Sequence, residues 1–167
     1  LNHYPSSPSA PLAFYRKGLS AWSHDYVPGR DEAYTQDALD AFDEFLRVYP
    51  QNPKADSANY YVQNLRERLA KREMATAILY LKMREPQATA IYLQDFLKTF
   101  PDSKLYPQAL ALLVESYTRL DQFEQAQEYL TLMSQKLDAA QYKSQIASLN
   151  EDLTERKLEY NSDLEDA

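Results

Sequence analysis

The chain repeats one arrangement: a small residue, an apolar residue four positions on, another at seven, and proline at twelve. From Ala38 these are Phe42, Phe45 and Pro50, and from Thr89 they are Leu93, Phe96 and Pro101. Ala126 is followed by Leu130 and Met133 at the same offsets, with Asp138 where proline would stand. Residues three, four and seven apart share a helix face, so the pattern describes one stripe of a helix that lies close to a neighbour and is then stopped. The stop reads aromatic-Pro-polar-polar, at Tyr49-Pro50-Gln51-Asn52 and Phe100-Pro101-Asp102-Ser103. Proline cannot extend a helix, and it restricts the residue before it. Tyr4-Pro5-Ser6-Ser7 repeats that stop near the start of the chain. The expectation is that the chain begins inside a repeat whose first part it lacks.

A second pattern precedes the first. Ala77 and Tyr80 stand twelve and nine residues before Thr89, and Val114 and Tyr117 stand twelve and nine before Ala126. Small-then-aromatic at those offsets marks the first helix of a tetratricopeptide hairpin. The fold expected is therefore all-α, a tetratricopeptide-type solenoid of helical hairpins. Its repeat-packing residues are Ala38, Phe42, Phe45, Ala77, Tyr80, Leu93, Phe96, Val114 and Ala126. The origins lie 51 and 37 residues apart, against about 34 in a standard repeat. The excess falls between Lys54 and Arg84, a stretch free of proline and glycine, where Leu65, Leu69, Met74, Ile78 and Leu81 form a broad apolar stripe. One long linking helix is expected there. Helices are predicted at 9–24, 32–48, 54–84, 86–99, 104–120, 122–137 and 139–160, with no strand. The organisation expected is a repeat domain over 1–138, its first repeat truncated, and a C-terminal helix with an acidic end over 139–167.

Composition removes several function classes. Net charge is −7, which argues against nucleic acid, since phosphate binding needs a cationic face. Cysteine is absent, so these residues hold no disulfide, thiol nucleophile or thiolate metal site. The two glycines, Gly18 and Gly29, are too few for a loop that cradles phosphates. No apolar run approaches the roughly 18–20 residues of a membrane-crossing helix. Fourteen tyrosines suit helical interfaces, where the ring packs and the hydroxyl stays wet.

Candidate chemistry is sparse. His3 and His24 are the only histidines, and neither has a second ligand at metal spacing. Ser20 and Ser23 lie near His24, but Asp25 beside it cannot bend back to orient the ring as a hydrolytic triad requires. Asp37, Asp40, Asp43 and Glu44 recur at helical spacing and read as a solvated face. No catalytic residue, metal or cofactor is expected, and the chain is read as a protein that is not an enzyme.

Two features point to partners. Arg66, Arg68, Lys71 and Arg72 form the best localised charge cluster. With Glu67 and Glu73 nearby it reads either as an exposed helix face or as a patch for a partner's carboxylates, where arginine forks give bidentate contacts. In the tail, Tyr142, Ile146, Leu149, Leu153, Tyr160 and Leu164 form a narrow apolar seam, interrupted by Arg156 and Lys157. From Asn150 onward the chain carries seven acidic and two basic side chains. This segment reads either as a capping helix with a frayed acidic end or as a helix that docks on a neighbouring subunit.

Several segments resemble a known family. NLRERLAKRE at 64–73 followed by AILYLK at 77–82 is similar to the long linking helix of the BamD family, also called ComL or YfiO. DFLKTFPDS at 95–103, running into ALALLVESY at 109–117, resembles that family's last repeat, and FYRKGL at 14–19 resembles an earlier one. The likeness covers roughly residues 1–137. These are tetratricopeptide lipoproteins of the outer-membrane β-barrel assembly machinery. The resemblance implies the C-terminal portion of such a protein, with signal peptide, lipidated cysteine and first repeats upstream. It implies a scaffold at the periplasmic face of the bacterial outer membrane. The partners implied are a periplasmic domain of the barrel-forming subunit and accessory lipoproteins, with unfolded barrel substrates as a further candidate. Tyr92, Glu115 and Tyr117 join the basic cluster as candidate contacts. The family pattern has a basic residue and a glycine before the helix starting at Pro86, where this chain has Arg84-Glu85, and Tyr92 replaces a basic residue. The alternative is another tetratricopeptide adaptor, of the cell envelope or a cytosolic peptide-binding co-chaperone.

Overall fold

The computed structural model describes residues 9–24 and 31–165, the side chains of His24, Asp31, Glu32 and Ala139 excepted. Among the described residues there are seven α-helices and no strand. They are α1 (Ala10–His24), α2 (Asp31–Val48), α3 (Ala55–Lys82), α4 (Pro86–Thr99), α5 (Tyr106–Arg119), α6 (Phe123–Lys136) and α7 (Ala139–Glu165). The all-α reading from tetratricopeptide spacing holds, with α3 as the long helix. Helix ends fall within two residues of expectation, except that α7 runs past 160 to Glu165 and its acidic end is helical. His3, Tyr4-Pro5, Asp25 and Gly29 lie outside the described residues.

The aromatic-Pro stops act as proline chemistry requires. α2 ends before Tyr49-Pro50, with the Tyr49 amide still donating to the Phe45 carbonyl at 2.8 Å. α4 ends before Phe100-Pro101, and Phe100 has left the helical region at φ −126°, ψ 57°.

The chain divides into two compact units, Leu1–Leu69 and Ala70–Ala167. In the first, α1 and α2 pack against each other, and the opening residues of α3 join their core. Ala38, Phe42 and Phe45 of α2 are fully buried, beside Phe14 and Tyr15 of α1 and Ala58, Val62 and Leu65 of α3. The core is aromatic. Phe42 stacks on Tyr61 at 5.1 Å between ring centroids, and Tyr15 meets Phe45 edge-on at 5.6 Å. Gly18 makes this approach possible: a Cβ there would stand 2.7 Å from Phe42 Cε1.

In the second unit α4, α5 and α6 pack in succession, and α7 lies on both α5 and α6. Leu93, Phe96, Val114, Ala126, Leu130 and Met133 are buried, as the repeat offsets require, with Ala77 from the end of α3. Tyr80 is half-buried. Two helix ends turn through left-handed residues that are not glycine: Arg84 at φ 60° and Asp121 at φ 56°. After α3, the Glu85 amide donates to the Tyr80 carbonyl and the Arg84 amide to the Leu81 carbonyl, both at 3.1 Å. After α5, Gln122 donates to Tyr117 at 3.0 Å and Asp121 to Thr118 at 3.2 Å. Both ends are Schellman turns, which satisfy the last carbonyls of the helix and favour glycine at the left-handed position.

Candidate interaction surfaces

Ten large apolar residues are exposed among those described, and four of them fall between 79 and 92. Leu79 (55% exposed) and Met83 (59%) lie one turn apart near the end of α3, and Ile91 (57%) and Tyr92 (37%) are neighbours on α4. Tyr92 stacks on Tyr80 at 4.9 Å, the rings 16° from parallel. The Tyr92 hydroxyl is raised above its ordinary pKa, first by its hydrogen bond with Tyr80, then by that tyrosine's charge, by desolvation and by the Glu73 carboxylate.

The basic candidates all lie on α3 and are exposed. In the first unit, Arg66 faces Asp43, whose pKa is raised by withdrawal from water and lowered by Arg66. Arg68 lies over the Trp22 ring at 5.4 Å, a cation–π contact. Lys71 and Arg72 belong to the second unit. Of the carboxylates expected on a solvated face, Asp37, Asp40 and Asp43 are exposed, and Asp40 accepts from Gln36 at 2.7 Å.

Glu115 and Tyr117 differ in placement. Glu115 is half-buried and lines an open recess of about 470 Å³ with Thr118, Arg119, Leu149, Asp152 and Arg156. Burial raises its pKa most, Arg119 at 3.9 Å lowers it, and the Asp152 charge raises it. Tyr117 is buried at 7% exposure, stacked on Tyr129 at 5.7 Å. Gln94 of α4 donates to the Tyr117 hydroxyl at 2.6 Å and to the Tyr129 hydroxyl at 3.2 Å. As placed, Tyr117 joins α5 to α4 and α6. Ser23 donates to its own helix, at the Ser20 carbonyl, 2.8 Å. Among the described residues no group of three or more His, Cys, Asp or Glu could hold a metal ion, and no helix is long and apolar enough to cross a membrane.

The tail packs through part of its seam. Leu149 and Leu153 are buried, Tyr142 and Ile146 half-buried, and Tyr160 meets the Phe123 ring edge-on at 5.5 Å. Leu164 is 61% exposed. Arg156 belongs to the docked face rather than interrupting it. Its Nε and Nη2 donate to the two oxygens of Asp121 at 2.8 and 3.2 Å, a bidentate pair. Sequence spacing gave no sign of this contact, because Asp121 sits in a turn 35 residues away. On the opposite flank, α6 and α7 border an open groove of about 660 Å³ lined by Phe123, Glu128, Leu153 and Lys157 among others.

Helical hairpins with repeat-spaced cores define a tetratricopeptide-type repeat protein. Residues 1–132 match the YfiO family of outer membrane lipoproteins, and the chain belongs to that family. It is 31% identical over 123 residues to the outer membrane protein assembly factor BamD of Caulobacter vibrioides, an alignment covering 74% of this chain and 40% of that protein. It is 24% identical over 133 residues to the factor of the same name from Rickettsia prowazekii, covering 80% and 53%. With that from Xylella fastidiosa it shares 31% over 128 residues, covering 70% and 43%. The chain thus spans about half the length of these relatives.

Proposed function

We propose that this chain is a non-enzymatic scaffold portion of the outer-membrane assembly machinery, acting by holding a periplasmic domain of the barrel-forming subunit. Membership of a family whose relatives are named assembly factors supports the role. The observation that carries the surface is the concentration of Leu79, Met83, Ile91 and Tyr92 between α3 and α4. An exposed apolar group of this kind, rimmed by charge, marks protein–protein contact. Tyr92 is its anchor, a ring already held against Tyr80 so that little side-chain freedom is lost on binding. Lys71 and Arg72 in the second unit, and Arg66 and Arg68 in the first, are proposed to meet acidic side chains of partners. Glu115 offers a further polar contact, and Tyr117 acts beneath the surface by holding Gln94. The repeat region 1–138 carries recognition, and 139–167 covers its end. Accessory lipoproteins and unfolded barrel substrates are the other partners this reading admits, at the periplasmic face of the outer membrane.

The test is a calorimetric titration of the chain against the purified periplasmic domains of the barrel-forming subunit from the same organism. Tyr92→Ala is expected to weaken binding by about tenfold or more, with helical circular dichroism unchanged. Equal affinity for the variant and the parent would refute the assignment of this face.

A further inference from the structure

α7, a helix of 27 residues, docks on α5 and α6 through few buried side chains. Its fully covered apolar residues are Leu149 and Leu153, and its strongest polar tie is Arg156 to Asp121. Between those leucines lies Asp152, which lines the same recess as Glu115 of α5. One helix therefore docks on the other with a carboxylate on each side of the recess.

The cations nearby only partly offset this. Arg119, one turn along α5 from Glu115, approaches no closer than 3.9 Å, and its side chain is 56% exposed. Arg119 also borders a neighbouring recess with Arg84. Arg156 of α7 is committed to Asp121 and to Glu159 at 3.4 Å. Thr118 donates its hydroxyl to the Val114 carbonyl, so it offers Glu115 no proton. The charged residues Glu124, Glu128 and Lys157 line the other flank of α7.

We propose that Glu115 and Asp152, facing one recess from α5 and α7, make the seating of α7 sensitive to protonation, so that the helix is held more firmly in mild acid than at neutral pH. The physical basis is linkage. A docked α7 buries Glu115 and brings a second negative charge to it, and both disfavour the carboxylate relative to the acid. Whatever docking does to the proton affinity of Glu115, protonation does to docking. The sign follows from the upward direction: the added hold is fully present below the ordinary glutamate range and is lost as pH rises through the elevated value. Released, α7 uncovers the α5 and α6 surfaces on which it lies, now covered in part by Leu149 and Leu153. The device thus regulates access to an apolar surface.

Amide hydrogen exchange on the full chain reads this directly, once rates are corrected for the intrinsic effect of pH. From about pH 7.5 to about pH 4, protection at 149–156 in the parent is expected to rise roughly 1.5- to 2-fold, the scale of a like-charge pair on helix surfaces. Glu115→Gln removes the charge without changing the shape. It is expected to show the higher protection already at neutral pH and to lose the response. Asp152→Asn, an independent variant on the other helix, is expected to do the same. Amides of α1 and α2 serve as the internal control. Neutral-pH protection in either variant no greater than in the parent, or an undiminished pH response, overturns the proposal.

Discussion

Gly18→Ala places one methyl group against a fully buried ring of the first unit, Phe42. The new Cβ would lie 2.7, 2.8 and 2.9 Å from three atoms of Phe42. Phe42 is fully buried and cannot step aside, since Tyr61 stacks on one face and Tyr15 meets it edge-on at 5.8 Å. Overpacking of this kind costs about 1–3 kcal/mol. Alanine favours a helix interior over glycine by about 1 kcal/mol. The two effects oppose each other, and the steric one is larger, because three ring atoms fall inside contact distance. A net loss of up to about 2 kcal/mol is expected. The assay is urea unfolding followed by Trp22 fluorescence. Trp22 is the chain's one tryptophan and contacts Tyr61 at 5.2 Å, so it reports this core. A second arm makes the cause specific. In a Phe42→Leu background the smaller side chain leaves room, and Gly18→Ala is expected to become neutral or stabilising, a coupling that a double-mutant cycle measures. A Gly18→Ala variant as stable as the parent, or an equal loss in both backgrounds, refutes the close-packing argument.

Arg84→Gly is expected to stabilise the second unit by about 0.5–1 kcal/mol in differential scanning calorimetry, because Arg84 occupies a left-handed position that costs a bulky side chain about 1–2 kcal/mol. Asp121→Gly relieves less strain and breaks the pair with Arg156, whose partners are 41% and 27% exposed. The pair is worth about 0.5–1 kcal/mol, so no net gain in the same measurement is expected. Gln94→Leu leaves the Tyr117 and Tyr129 hydroxyls without their shared donor, and a loss of about 1 kcal/mol in urea unfolding followed by circular dichroism is expected. Reversing Arg66 and Arg72 to Glu is expected to weaken capture of the barrel-forming subunit's periplasmic domains, more at low salt than at high salt, as measured by calorimetry at two ionic strengths.

Most of the fold was legible because it rests on periodicity. Ala38, Phe42 and Phe45, and again Thr89, Leu93 and Phe96, recur at fixed offsets because the same helix face must be buried each time, and all six are buried. Tyr49-Pro50 and Phe100-Pro101 gave helix ends because proline acts on its immediate neighbours. Contacts that depend on tertiary geometry left no local trace. Arg156 looked like a break in the α7 seam because its partner, Asp121, lies in a turn whose left-handed conformation spacing does not reveal. The closeness of Gly18 to Phe42 was equally silent, since a single glycine in a helical run has several possible causes. At the surfaces, sequence spacing marked the charges of α3 but not which apolar residues stay uncovered. Leu79 and Met83 fall outside the apolar stripe of α3, and their exposure of 55% and 59% is a property of the packed helices. Tyr117 fitted both a partner surface and a core position, and its 7% exposure is a property of the packed helices alone.

The central claim, that the chain holds a barrel-assembly partner through the face around Tyr92, is tested most directly by site-specific photo-crosslinking in cell envelopes. A photoreactive side chain would replace Tyr92, Met83 or, as a remote control on α7, Leu158. The expected result is an adduct with the barrel-forming subunit from positions 92 and 83 and none from 158. Adducts from 158 alone, or from none of the three while the partner co-purifies with the chain, would contradict the account.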